Sequence, residues 1–390
     1  MKKQSVFIAV GIVMLGAVMR VPITAIPPIL TDIASSLGVS VSDLGILTSI
    51  PLLMFALCSS VAPKLANRFG MERLMGGVLL AMGIGSLLRI VNLPFLYLGT
   101  ILVGATIAVI NVLLPSIVAA SFPHKIGLYT TLYITMMGTM STVASMVAVP
   151  IAAATSWSFF IILVTGLIGL AFISWLPNMK ENHRVEEKVQ VQEQATGSLW
   201  KNKAAVIFLV FSGLQSMLFY TELTWLPTMA QTAGLAQNQA GFLAGIFSLV
   251  SIPVSMVIPG IVSRLKKEQR AIMMTGLSCL TLMGLVLMLF APTTFITWLI
   301  IHLLLGLSVS ALFPYMMLSL SLKTSNSQAT ARLSGMVQTG GYLIAAVGPA
   351  ALGYSYSIAA SWVPLVISLL IVTLAMMFTI FLIEKEDVIV

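Results

Sequence analysis

Long apolar runs, each about the length of a membrane crossing, recur along the chain and are separated by short polar breaks. A helix needs about 20 mostly apolar residues to cross roughly 30 Å of hydrocarbon. Runs that meet this requirement lie near residues 5–30, 43–63, 74–92, 95–118, 126–150 and 157–177. After a polar stretch they resume near 204–227, 239–262, 270–290, 295–320, 329–354 and 361–383. None alternates apolar and polar residues over about ten positions, as a barrel strand would. The pattern therefore predicts an all-α membrane protein with twelve transmembrane helices. Six lie on each side of the polar stretch. This predicts an N-terminal six-helix bundle over 1–178, a linker loop over 179–203 and a C-terminal six-helix bundle over 204–390.

The halves echo each other. A short basic loop joins spans 2 and 3, and another joins spans 8 and 9. Pro115 and Pro314 mark the fourth span of each half; Gly138 with Pro150 and Gly348 with Pro349 mark the fifth. Such a layout predicts two pseudo-symmetric bundles, with a substrate site near the membrane midplane between them.

Composition agrees with the pattern. Hydrophobic residues make up 58% of the 390 and charged residues only 8%, against about a quarter charged in soluble domains. A soluble enzyme, a nucleic-acid-binding domain and a disordered regulator are thereby excluded. The formal charge of +8 comes from basic residues whose placement has a topological meaning. Of 20 Lys and Arg residues, 18 fall at one end of the spans, from Lys2 and Lys3 through the 178–203 loop to Lys385. Basic loops stay on the cytoplasmic side, so both termini are expected there, in a bacterial-type plasma membrane. Charge placed this way gives no reason to invoke nucleic acid as a partner. Cys58 and Cys279 sit in apolar runs and read as small hydrophobes. No metal or cofactor is expected, and the 24 methionines read as filling for core and lipid faces. No Walker sequence is present, so a gradient-driven carrier is the economical expectation.

The other two basic residues, Arg20 and Arg89, lie within predicted spans, where an ionisable group costs several kcal/mol. Arg20 falls about 3 Å outward of the middle of span 1 at helical rise, beside Pro22, which removes a backbone donor. A permanent charge so near the midplane makes Arg20 the first candidate for substrate binding. Arg89 and Glu222 lie about 10 Å outward of centre on spans 3 and 7, able to reach the outer interface or to pair with each other. Glu222, the one in-span carboxylate, and His302 on span 10 are the groups suited to carrying a proton. Asn111, Tyr133, Gln215, Gln338 and Tyr342 sit nearer the middle of spans 4, 5, 7 and 11. They either glue helices together or line a shared cavity with Arg20.

Several strings are more specific. Span 1 carries Arg20 with Thr24, followed by Leu47-Thr48-Ser49-Ile50-Pro51-Leu52. The loop after span 2 reads Leu65-Ala66-Asn67-Arg68-Phe69-Gly70-Met71-Glu72-Arg73, and span 4 reads Ile110-Asn111-Val112-Leu113-Leu114-Pro115. Span 7 holds Gly213-Leu214-Gln215-Ser216 and Trp225-Leu226-Pro227; span 11 holds Leu333-Ser334-Gly335-Met336-Val337-Gln338 with Gly341-Tyr342. Together these resemble the cyanate permease and 2-nitroimidazole transporter family of the major facilitator superfamily. The resemblance implies alternating access by two six-helix bundles and a small compact substrate, either a cyanate-like anion or a nitroimidazole-like heterocycle. It also implies a gating loop carried by Asn67, Arg68, Gly70 and Arg73. The chain departs from the family at Val18 and Val21, where Asn and Pro are usual. It departs again at Asn67, where the superfamily usually has Asp, and at Glu222, where an apolar or small residue is expected.

The resulting expectation is a secondary active transporter that acts as a monomer in the lipid bilayer, with proton coupling through Glu222. The nearest alternative is a proton-coupled multidrug exporter of the same fold, and a nitrate or nitrite porter is a further one. A membrane enzyme would need nucleophile, base or metal ligands gathered at one depth. Three scattered histidines and two scattered cysteines do not supply them.

Overall fold

A computed structural model describes residues 2–180, 199–325 and 327–389. Most of the predicted linker, 181–198, lies outside the described residues, including Arg184 and Lys188 of the basic set. The described residues are helical, with no strand, and 12 of their helices are long and apolar enough to cross a membrane. Spans 1 to 6 run Val6–Leu37, Val41–Cys58, Met71–Leu88, Leu93–Ser121, Ile126–Ala154 and Trp157–Lys180. Spans 7 to 12 run Lys203–Thr232, Gln237–Val262, Lys267–Phe290, Phe295–Leu322, Arg332–Ala359 and Val363–Lys385.

Local chemistry explains where several spans begin. The side-chain oxygens of Asn92, Ser156, Asn202 and Thr294 accept from backbone N–H groups two or three residues on, starting spans 4, 6, 7 and 10. Each satisfies donors that a helix start leaves open. The outward faces are apolar: Met283, Val286 and Phe290 form one exposed stripe on span 9, and Ile371, Leu374 and Phe378 another on span 12. Residues three and four apart share a helix face, so these stripes are the surfaces that lipid covers.

The chain forms two compact units. The first contains Met1–Gly38 with Leu53–Glu193, and the second Val39–Leu52 with Gln194–Val390. In the first unit, span 1 lies against span 5, and Gly16 makes that approach close. A Cβ on Gly16 would lie 2.5 Å from the Tyr133 carbonyl oxygen. In the second unit, span 11 lies tightly on span 7. A Cβ on Gly341 would lie 2.5 Å from Ser212 Oγ. Small residues at such crossings let backbones approach, the usual basis of helix association in lipid. Residues 39–52 join the second unit through Ser49, whose hydroxyl accepts from Ala350 N at 3.1 Å.

Two helices depart from the continuous rods that the pattern predicts. Span 1 is interrupted near its middle, at Arg20. Span 11 contains one π-helical turn, Gly348–Leu352, in which Trp225 Nε1 donates to the Pro349 carbonyl at 2.8 Å. Proline accounts for both, because each removes a donor from the helical ladder.

A candidate substrate site around the break in span 1

The break is built from prolines. The first helical segment of span 1 ends at Met19, and a short one resumes over Val21–Thr24. Pro22 has no N–H for the carbonyl of Val18, while Pro27 and Pro28 have none for Ile23 and Thr24. The chain answers with tighter and longer-range bonds. Arg20 O accepts from Ile23 N and Thr24 N, both at 3.0 Å, and from Thr24 Oγ1 at 3.2 Å. Ile26 N turns to Ile23 O at 3.4 Å, which leaves the Pro22 carbonyl without its ladder partner.

Neighbouring spans satisfy what remains. Arg89 Nη1 donates to Pro22 O at 2.6 Å, and Ser145 Oγ donates to Thr24 O at 3.2 Å. The turn carrying Arg20 is thus held by span 5 and by the residue that ends span 3. Non-helical backbone at membrane depth survives only where protein or a cavity meets its polar groups. Arg89 is buried and caps the last turn of span 3. Its guanidinium is engaged by a backbone carbonyl of its own unit.

The remaining candidates of the first unit differ in setting. Arg20 is half-buried, Asn111 is exposed on span 4, and Tyr133 is buried on span 5 next to Gly16. An open groove of about 360 Å³ lies nearby on spans 1 and 5, lined by Ala9, Val10, Val13, Met14, Tyr129 and Leu132. Its lining is apolar, and none of the candidate polar residues contributes to it.

In the second unit, Gln215 is 1% exposed, and its amide nitrogen donates to Ser212 O at 3.2 Å and to Ser216 Oγ at 2.6 Å. The same nitrogen meets Met316 Sδ of span 10 at 3.8 Å. Gln338 and Tyr342 are half-buried, four residues apart on span 11, and Gln338 Nε2 donates to Ser334 Oγ at 2.8 Å. Glu222 stands out: it is 2% exposed, and among the described residues neither carboxylate oxygen has a hydrogen-bond partner. His302 is fully buried, with Nδ1 on the Trp298 carbonyl at 2.8 Å and no partner at Nε2 among the described residues.

The loop residues form a sharp corner. Gly70 has φ +84° and ψ 153°, a region essentially reserved for glycine. Arg68 lies over the Phe69 ring at 5.4 Å, and Asn67 Oδ1 is buried without a partner among the described residues. Sequence reasoning missed the Arg89 and Ser145 contacts. The prolines at 22, 27 and 28 were the visible signal that carbonyls would need outside donors.

The Major Facilitator Superfamily profile matches residues 6–349. This chain belongs to that superfamily. It is 34% identical over 366 residues to the uncharacterized transporter YycB of Bacillus subtilis (strain 168), covering 93% of this chain and 89% of that protein. It is 31% identical over 366 residues to the 2-nitroimidazole transporter of Escherichia coli (strain K12), covering 93% and 92%. Among solved structures, the nucleoside transporter NupG superposes with a TM-score of 0.77 at 13% identity, over 96% of this chain and 99% of that one. A D-xylose–proton symporter gives 0.71 at 14% identity, over 95% and 96%. The shared fold is the twelve-helix major facilitator architecture. The superfamily member is a multi-pass membrane transporter, not an enzyme.

Proposed function

We propose that this transporter carries a small compact solute, a cyanate-like anion or a nitroimidazole-like heterocycle, by alternating access, and that Arg20 is the group that reads it. The observation that carries this reading is the break in span 1. Interrupted transmembrane helices in secondary transporters accompany substrate sites, and here the interruption falls at a half-buried permanent cation. A guanidinium offers directed donors to an anion or to the oxygens of a nitro group. Asn111 and Tyr133, together with Gln338 and Tyr342, supply further hydrogen-bonding groups in place of lost water. Gln215 has only its carbonyl oxygen to offer, an acceptor for a ring N–H of a heterocycle and not for an anion, since its nitrogen is already engaged within the second unit. A site read by a guanidinium disfavours organic cations, because bringing like charges together away from water is costly. The identity to a 2-nitroimidazole transporter supports the compact heterocycle as a substrate class.

In this reading Glu222 and His302 carry the coupling proton. A buried carboxylate with no partner at either oxygen is tolerable only when neutralised. Both termini face the cytoplasm, and the loop around Gly70 contributes to gating.

The test is thermal stability of the detergent-purified protein against cyanate, nitrate, small carboxylates, 2-nitroimidazole and organic cations. A ligand at 100 times its dissociation constant stabilises the folded form by about 2.7 kcal/mol. Stabilisation by a small anion or by 2-nitroimidazole, abolished in Arg20→Gln, is the expected result. Stabilisation by bulky cations alone, undiminished in Arg20→Gln, would replace this reading with that of a drug exporter.

A further inference from the structure

We propose that Arg89 is a positioning residue for Arg20: it clamps the turn that breaks span 1 and so sets how Arg20 is presented to the solute. The inference rests on the reading of Arg20 as the substrate cation.

Four features support it. The Pro22 carbonyl is left open by the local backbone, because its ladder donor, Ile26 N, is taken by Ile23 O. Arg89 Nη1 fills that vacancy at 2.6 Å from a different span, so the clamp is tertiary. Residues 20–24 form one tightly bonded turn, with Arg20 O accepting from Ile23 and Thr24. A force applied at Pro22 is therefore transmitted to Arg20 two residues away. Finally, the contact is a single charge-assisted bond. Arg89 Nε has no partner among the described residues, and the acceptor is a carbonyl, not the forked carboxylate that would lock a guanidinium in place.

Packing shows that the position is shaped for this side chain. Arg89 is 2% exposed at the end of span 3, where its own N–H bonds Ser86 O at 3.3 Å. Gly99 of span 4 lies against the Gly85 carbonyl and the Arg89 stem together: a Cβ there would meet that carbonyl first and would lie 3.0 Å from Arg89 Cγ. A neutral amide could donate to one carbonyl with far less desolvation than a guanidinium. One bond that can open and re-form also allows the turn to be released during the transport cycle.

The experiment uses the full-length protein in detergent, with Arg89→Gln, Arg89→Lys, Arg20→Gln and the double variant Arg20→Gln/Arg89→Gln. Without ligand, hydrogen–deuterium exchange is followed in peptides covering residues 18–30. The clamp predicts exchange roughly tenfold faster there in Arg89→Gln, with partial recovery in Arg89→Lys, which can still donate. Exchange unchanged at the break overturns the clamp. With cyanate and 2-nitroimidazole as probes, positioning predicts roughly tenfold weaker binding in Arg89→Gln, partial rescue by Arg89→Lys, and no further loss in the Arg20→Gln background. A further loss in that background would mean that Arg89 touches the solute itself, and faster exchange throughout the unit with unchanged probe affinity would mean a role in folding alone; either overturns positioning. If neither probe binds the unmodified protein, the proposed substrate class fails, and exchange at the break alone decides the clamp.

Discussion

Single side chains in this protein are informative where burial and bonding disagree. Glu222 is the sharpest case, because a carboxylate with both oxygens unpartnered sits in a fully packed segment of span 7. Glu222→Gln keeps the shape and removes the titratable group. We expect it to slow transport driven by a pH gradient while leaving solute exchange and melting temperature largely intact. The same pH dependence in both proteins would remove Glu222 from the coupling path. Gly70 is informative through its backbone. Its φ of +84° with ψ of 153° suits only glycine, so Gly70→Ala should lower stability by about 1–3 kcal/mol in thermal unfolding. The departure at Glu222 and the in-span Arg20 were both visible as residues. That the Gln215 nitrogen is taken up by Ser212, Ser216 and Met316 was not, because bonding partners of an amide depend on which helices meet.

At the scale of elements, span 1 behaves as two helices joined by a proline-rich turn whose carbonyls are completed from outside. Thr24 O depends on Ser145 because Pro28 has no N–H to offer it. Ser145→Ala should therefore cost about 1–3 kcal/mol, the penalty of an unsatisfied buried acceptor. In a Pro28→Ala background the restored N–H can take the carbonyl, and the cost of Ser145→Ala should shrink. A double-mutant cycle read by unfolding measures that coupling; equal costs in both backgrounds would refute it. Apolar periodicity could not place this break, since Arg20 and its neighbours sit inside an otherwise continuous apolar run. The π-helical turn of span 11 has the same origin. Pro349 announced a disturbance there, but the bond from Trp225 to its carbonyl required knowing that spans 7 and 11 touch.

At the scale of the whole molecule, the end of span 12 is fastened by a cluster that no motif announced. Glu384 is 4% exposed and accepts from Arg270 Nη2 at 3.0 Å, Lys323 Nζ at 3.1 Å and Tyr315 Oη at 2.7 Å. Lys323 also donates to Glu386 O at 2.7 Å, and its carbonyl accepts from Ile389 N at 2.8 Å. Removing this carboxylate leaves the buried Lys323 without its counter-charge and takes the ion pair from half-buried Arg270, so Glu384→Gln should destabilise the second unit by about 3–5 kcal/mol. Asp387, three residues on, is the contrast. Its pair with Lys267 at 2.9 Å is exposed, and the hydrogen bond from Lys267 holds its carboxyl below the usual carboxylate range. A depressed pKa contributes stability above the ordinary carboxylate range and loses it as pH falls through the lowered value. Screening by solvent keeps that contribution small, so Asp387→Asn should leave the melting temperature at neutral pH unchanged; a loss matching Glu384→Gln would contradict this. The order of twelve spans, the six-and-six layout and the presence of Arg20 inside a span were legible from the chain alone. Hydrocarbon imposes a length and an apolar composition that sequence carries directly, and an ionisable residue in such a run is conspicuous. The clamp of Arg89 on Pro22, the isolation of Glu222 and the fastening of Glu384 arise between residues tens to more than a hundred positions apart. Such bonds depend on which faces of which helices meet, and that is a property of packing, not of periodicity.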